Sequence, residues 1–280
     1  MLEIHFLRVT HGNCTIIRAH GRMTMIDINT DPLPGRQANS LDYLDAHFPG
    51  QTLHRYIQAH LELDHMHGLT ELLARRRIKY AWFPLEGDAL PHHPDDADAA
   101  EWASYDRLLR GRVADTQAVF PVAEQDRALL ERFDLEGWSI VMPTRGLVEL
   151  CQAADGIAPP SYIMAVDYAG VRVLLGGEVR QPLWRRAVRD RSRQLPCTIL
   201  SASHPVRTPE FGYDARPYAP ALDIMRPAQV VLSADPANRA EAEQAYRQRG
   251  AEVIWLDQAS AVVLRVAADG ATHFTVSPAP

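Results

Sequence analysis

Hydrophobic and polar residues alternate through Leu2-Glu-Ile-His-Phe-Leu-Arg-Val9, the period of a strand with one buried face. A turn at His11-Gly12-Asn13 and a link at His20-Gly21-Arg22 separate it from two further apolar runs, Cys14–Arg18 and Met23–Ile26. Short strands joined by tight turns predict an antiparallel meander, closed by Asp27. A loop rich in Pro, Gly and Asn, Asp31–Asn39, leads to a predicted helix over Ser40–Phe48 with Ser40 as its N-cap, ended by Pro49-Gly50. The apolar strand Arg55–Ala59, a helical pattern over Thr70–Arg77 and the strand Lys79–Phe83 follow. This β-α-β-α-β succession predicts a sheet covered by helices.

The pattern breaks over 84–118, where Glu101–Leu109 has helical spacing and is expected to pack on the body or over a site. Strands are then predicted at Trp138–Met142, Ser161–Asp167, Val171–Leu175, Cys197–Leu200 and Gln229–Ser233, and near the end at Glu252–Leu256, Ala261–Val266 and His273–Val276. Helical stretches fall at Gly146–Gln152, Gln181–Gln194, Pro217–Met225 and Arg239–Gly250. No low-complexity linker divides the chain, so the expectation is an α/β fold in one domain over 1–280, with a helical and loop insertion around 84–136.

The composition narrows the choices. An apolar content of 46% over 280 residues supports a full core, and no uncharged apolar run is long enough for a membrane span. The opening residues read as a strand and lack a basic leader, so no signal peptide and no membrane partner is expected. Three cysteines, Cys14, Cys151 and Cys197, lie far apart and fit free thiols in a cytoplasmic protein. A net charge of -6 argues against tight non-specific binding of nucleic acid over the whole surface, though local basic patches remain.

The candidate chemistry lies in Tyr56–Gly68. After the apolar strand come His60, Glu62, Asp64 and His65, two imidazoles and two carboxylates within six residues. Such donors suit zinc, manganese or iron. In an extended segment, alternation puts His60, Glu62 and Asp64 on one side, and a turn returns His65 towards them. The plainer alternative is a polar loop with Asp64 as a helix N-cap. Asp27 either faces the same cavity or caps the loop Asn29–Gly35. Downstream, Gly176-Gly177-Glu178 ends a strand with a carboxylate after two small residues, which lets the backbone approach an ion. His204 ends another. Pro91–Asp96 and Asp98 are rich in ligand-type side chains but read as a solvated loop. Arg180, Arg185, Arg186 and Arg189, on or beside a helix, are candidate contacts for phosphate or a partner, set against the simpler reading of a solvated helix face.

In order, these motifs are Ile26-Asp27, His60-x-Glu62-x-Asp64-His65, Leu174-Leu175-Gly176-Gly177-Glu178 and Ala202-Ser203-His204. The succession resembles the metallo-β-lactamase fold, and within it the soluble relatives of the hydrolase domain of the competence protein ComEC. The resemblance implies a four-layer αβ/βα sandwich with a metal site at one edge, between the two sheets. It implies that His60 binds one divalent ion, that Asp64 and His65 bind a second, that Glu178 bridges them and that His204 is the late histidine ligand. Asp64 would also be the catalytic residue, as ligand or holder of the nucleophile. Zinc is the expected metal, with manganese as the alternative and up to two ions. The sequence departs from the pattern at Glu62 and Glu178, where the relatives carry aspartate, at Pro205-Val206, where they carry His-Gly, and before Ser161, where their asparagine is missing. The implied activity is a metal-dependent hydrolase, phosphodiesterase- or nuclease-like, acting on nucleic acid or a nucleotide. The alternative is a catalytically degenerate relative, with one ion or none, that serves as a binding or sensor component with a protein partner in a larger assembly. A lactonase or thioesterase shares the fold but gains nothing specific from these residues.

Overall fold

The structure, a computed structural model, describes residues 1–9, 12–31, 39–84, 98–123, 137–153, 160–177, 179–202, 218–232, 239–256 and 259–278. The chain first forms β1 (Leu2–Leu7), β2 (Thr15–Ala19), β3 (Arg22–Ile26), the short β4 (Ile28–Asn29), α1 (Ser40–His47) and β5 (Leu53–Ile57). A 3-10 turn at Leu63–His65 and β6 (Met66–His67) lead to α2 (Leu69–Arg75), β7 (Ile78–Trp82), α3 (Ala99–Leu109) and β8 (Gln117–Val119). Then come β9 (Trp138–Met142), α4 (Arg145–Ala153), β10 (Ile163–Tyr168), β11 (Val171–Leu175), α5 (Gln181–Arg191) and β12 (Ile199–Ser201). The last elements are α6 (Ala219–Met225), β13 (Gln229–Leu232), α7 (Arg239–Arg247), β14 (Glu252–Trp255), β15 (Ala259–Val266) and β16 (Thr272–Pro278).

Eight strands form one sheet in the order β16-β15-β1-β2-β3-β5-β7-β8, and six form a second in the order β14-β13-β12-β11-β10-β9. The expected meander is present: β1 pairs antiparallel with β2, and β2 with β3. From β3 onward the first sheet turns parallel through β5, β7 and β8. One apolar core joins the facing sides of the sheets, from Leu2, Ile4 and Phe6 to Tyr162, Val173 and Ile199. A second lies between the eight-stranded sheet and α1, α2 and α3, and a third between the six-stranded sheet and α4 to α7. The order of layers is therefore helices, sheet, sheet, helices, an α/β sandwich as the sequence predicts. Among the described residues no helix is long and apolar enough to cross a membrane.

Three details differ from the sequence reading. All six residues of β1 are buried, not one face alone, because α1 covers the side that carries Glu3 and His5. There the His5 ring meets the Phe48 ring edge-on at 5.1 Å, and His5 Nδ1 pairs with the Tyr43 hydroxyl at 2.8 Å. The N-cap of α1 is Asn39, whose side chain accepts from Leu41 and Asp42 while Asp42 accepts from the Asn39 N–H. Ser40 instead donates its hydroxyl to the Asn29 carbonyl at 2.7 Å, tying the helix to β4. Finally, the stretch read as an insertion supplies β8, an edge strand of the sheet, as well as α3. Glu101 of α3 accepts from the N–H groups of Gly68 and Thr70, so α3 caps the amino end of α2 and packs on the body.

A cation is also built into the core. Arg55 is 2% exposed, and its guanidinium lies 4.7 Å from the Trp82 ring and 5.0 Å from the Trp138 ring, one from each sheet. It donates to the Thr24 hydroxyl at 3.0 Å. The three cysteines are free thiols, and burial pushes Cys197 up to about 12.

The polar cluster under α1 sets a pH dependence. Burial holds the His5 imidazole below its ordinary 6.5 even though Glu3 favours its charge. Burial acts to raise Glu3, but its bonds to His5 and Arg265 outweigh this and hold it below its ordinary 4.5. His5 therefore contributes stability in full above 6.5 and loses it as pH falls, because the unfolded chain takes up the proton first. Glu3 adds a further loss below 4.5. The thermal midpoint is expected to fall between pH 7 and 5, and His5→Gln to flatten that slope by at most about 1.4 kcal/mol per pH unit, the limit for one proton. An unchanged slope in the variant would contradict this assignment.

Candidate metal centre

The site grows from the carboxyl ends of the parallel strands β3 and β5, where side chains that follow the last ladder bond are free to converge. At the end of β3, Asp27 has φ +55, a left-handed conformation that aspartate tolerates better than most residues. Its N–H donates to the Ile57 carbonyl at 2.8 Å, which fixes it beside β5. The carboxylate then serves two partners. Oδ1 accepts from the Ala59 N–H at 2.6 Å and Oδ2 from His65 Nδ1 at 2.8 Å. Asp27 and His65 are both fully buried. Burial raises the Asp27 carboxyl, and the imidazole and the Ala59 N–H oppose that rise.

The segment 60–65 is held as a loop by two amides. Gln58 Nε2 donates to the carbonyls of His60 at 2.8 Å and His65 at 3.0 Å, clamping both ends, and Gln58 accepts in turn from the Tyr56 hydroxyl. Asn29 Nδ2 donates to the Asp64 carbonyl at 3.0 Å. Gly12, at φ +68, packs against the same carbonyl so closely that a Cβ there would lie 2.2 Å from the oxygen. Within this frame the His60 and His65 rings stand edge to face with centroids 5.1 Å apart. His60 Nδ1 pairs with the Ser161 hydroxyl at 2.6 Å, across from the second sheet's side of the molecule. That hydroxyl can accept from Nδ1–H or donate to a bare Nδ1.

Glu62 Oε1 lies 3.1 Å from His60 Nε2. The approach is not aligned for a hydrogen bond, and the buried Nε2 has none among the described residues. The same Glu62 oxygen takes the Arg180 guanidinium at 2.5 Å. Asp64 sits half-buried in the 3-10 turn. Glu178, His204 and the Pro91–Asp96 stretch lie outside the described residues. Among the described residues, no three His, Cys, Asp or Glu side chains are grouped to hold a metal ion.

Of the four arginines singled out in the sequence, Arg180 is the one paired with a motif residue among the described residues. Arg185 lies 5.8 Å from the Tyr218 ring and bonds Gln181, while Arg186 and Arg189 both pair with Asp190. The basic run after the motif is similarly engaged, Arg75 and Arg76 by Asp45 and Arg75 also by Glu71. Sequence reasoning left Asp27 undecided and did not pick out Gln58 or Asn29. Gln58 did carry a signal: an uncharged polar residue between Ile57 and Ala59 in an apolar strand.

The donors fit a divalent cation in chemistry. Both imidazoles have Nδ1 occupied, by a carboxylate and by a hydroxyl, the arrangement that directs Nε2 of a ligating histidine to the ion. The donor atoms that would take part are His60 Nε2, His65 Nε2 and a Glu62 oxygen, although the described residues alone do not group three such side chains into a complete site. An amide at position 27 would reverse this at His65, because its NH2 favours a bare Nδ1 and moves the ring proton to Nε2. Asp27→Asn is therefore expected to keep the fold but change the His65 tautomer, visible in the ring-nitrogen chemical shifts. It should also lower metal affinity about 10- to 100-fold. Unchanged His65 shifts would show that Asp27 does not set the tautomer.

No protein-family model matches the chain, and no curated protein matches it. Solved structures do. The metallo-β-lactamase fold protein YhfI from Bacillus subtilis superposes with a TM-score of 0.55 at 8% identity, over 91% of this chain and 96% of YhfI. Igni18, a metallo hydrolase from the archaeon Ignicoccus hospitalis, superposes with a TM-score of 0.53 at 14% identity, over 98% of each chain. A variant of the β-hydroxylase CmlA gives a TM-score of 0.58 at 13% identity, over 94% of this chain but 54% of CmlA. At such identities the likeness speaks for the fold alone, and it agrees with the layers and strand order above. The chain has the metallo-β-lactamase fold.

Proposed function

We propose that this protein is a metal-dependent hydrolase with a phosphodiesterase- or nuclease-like activity, related to the ComEC-type hydrolases. The observation that carries the reading is the pair of buried imidazoles, His60 and His65, each with Nδ1 engaged and their rings 5.1 Å apart. A buried histidine pair positioned this way costs desolvation and fixes side chains, which a purely structural loop does not require. The chemistry a divalent ion supplies is a water acidified towards neutral pH and a Lewis acid for a phosphoryl oxygen. His60 would hold one ion and His65 with Asp64 a second, Glu62 would contribute a carboxylate, and Asp64 would either ligate or hold the nucleophile and its proton. By the resemblance, Glu178 and His204 would complete the ligand set. Zinc is the metal proposed, with manganese as the alternative.

The arginines bear on substrate size. Arg75 and Arg76 meet Asp45 and Glu71, so the basic run after the motif is partly balanced, which supports a small phosphodiester or nucleotide over a long nucleic-acid track. One observation favours the second reading, a degenerate protein that binds a partner without catalysis. A guanidinium already occupies Glu62.

Metal content separates the two. Protein stripped with chelator and dialysed against zinc or manganese is expected to retain close to two equivalents and to hydrolyse a bis-ester phosphate. Asp64→Ala and His65→Gln should each lose both properties, with circular dichroism confirming the fold. Wild-type metal content in either variant would remove the site assignment, and a folded wild-type chain that retains no metal would favour the degenerate reading.

A further inference from the structure

Glu62 is shared between two groups of opposite kind. Its Oε1 lies 3.1 Å from His60 Nε2, a buried nitrogen with no hydrogen bond among the described residues, and 2.5 Å from the Arg180 guanidinium. Arg180 is the N-cap residue of α5 and comes from the second half of the chain, 118 residues from Glu62. Both members of the ion pair are about one-third exposed, so it can open to water without unfolding its surroundings. The carboxylate nearest the imidazole thus carries its own positive charge, on a side chain long enough to leave.

We propose that Arg180 is an internal counter-cation that competes with a divalent metal for Glu62. In the form described here the guanidinium neutralises Glu62 beside His60. Metal uptake through His60 and the Glu62 oxygen beside it would displace the guanidinium from that oxygen. The inference rests on the metal-site reading above and adds to it a regulatory residue, one that sets metal affinity without ligating the metal.

The test is a competitive-chelator titration of zinc and of manganese into metal-stripped wild type, Arg180→Gln, Arg180→Met, Arg180→Lys, Glu62→Gln and the Glu62→Gln/Arg180→Gln double variant. Loss of the competing charge should tighten metal binding by about three- to fivefold in Arg180→Gln and Arg180→Met, the scale of a partly exposed ion pair. Arg180→Lys makes the same single charge contact and should stay within about twofold of wild type. The Arg180 effect should vanish in the Glu62→Gln background. Equal or weaker binding by the Arg180 variants, with wild type still binding, overturns the competition and leaves the metal site standing. Tightening that persists without Glu62 also overturns it, since the charge would then act at a distance. Failure of wild type and all variants to bind either metal overturns the metal reading itself, and this inference with it.

Discussion

The buried bond between Asp27 and His65 is the constraint on which the rest of the site depends. A carboxylate removed from water is costly unless each oxygen is satisfied. Here one oxygen takes the Ala59 N–H and the other the His65 ring, so the end of β3, the exit of β5 and the 3-10 turn are tied by a single side chain. The left-handed backbone at Asp27 belongs to the same arrangement. It ends β3 while turning the carboxylate back towards β5, where an extended residue would continue the strand.

Around that bond the loop has little freedom. Gln58 clamps its two ends, Asn29 and Gly12 grip its middle, and Glu101 caps the helix that follows. Such an arrangement positions the two imidazoles through neighbouring groups before any ligand arrives. The same logic extends across the sandwich. Ser161 brings the approach to β10 against His60, and Tyr162 donates its hydroxyl to the Phe83 carbonyl at 2.6 Å while its N–H reaches the Ala59 carbonyl. Arg55, held between tryptophans of the two sheets, lies within β5 behind the motif. The edge where the sheets meet is thus both the structural seam and the place where the chemistry collects.

Charge is arranged differently from what a basic sequence run suggests. Arginines that look like a phosphate-binding face are largely engaged by aspartates one turn or one helix away. Such surface pairs contribute little to stability, and on α5 the single Asp190 offsets only part of the positive charge of Arg185, Arg186, Arg189 and Arg191. Arg180 stands apart because its partner is a residue of the motif itself.

Much of this was legible in the chain. Periodicity two marked β1, apolar runs between turns marked β2, β3 and β5, helical spacing marked α2, α3 and α5, and the order of motifs resembled that of the sandwich. Local sequence determines these because strand and helix periods, turn residues and the clustering of ligand-type side chains are properties of neighbours in the chain. What the sequence did not hold was partnership. Both faces of β1 are buried because α1 covers one of them, and Asn39 caps α1 because Ser40 is drawn away to Asn29. Asp27 turns to His65, 38 residues on, and Glu62 meets Arg180, 118 residues on. A side chain chooses among polar partners by distance in space and by what burial leaves unsatisfied, and tertiary packing alone sets both.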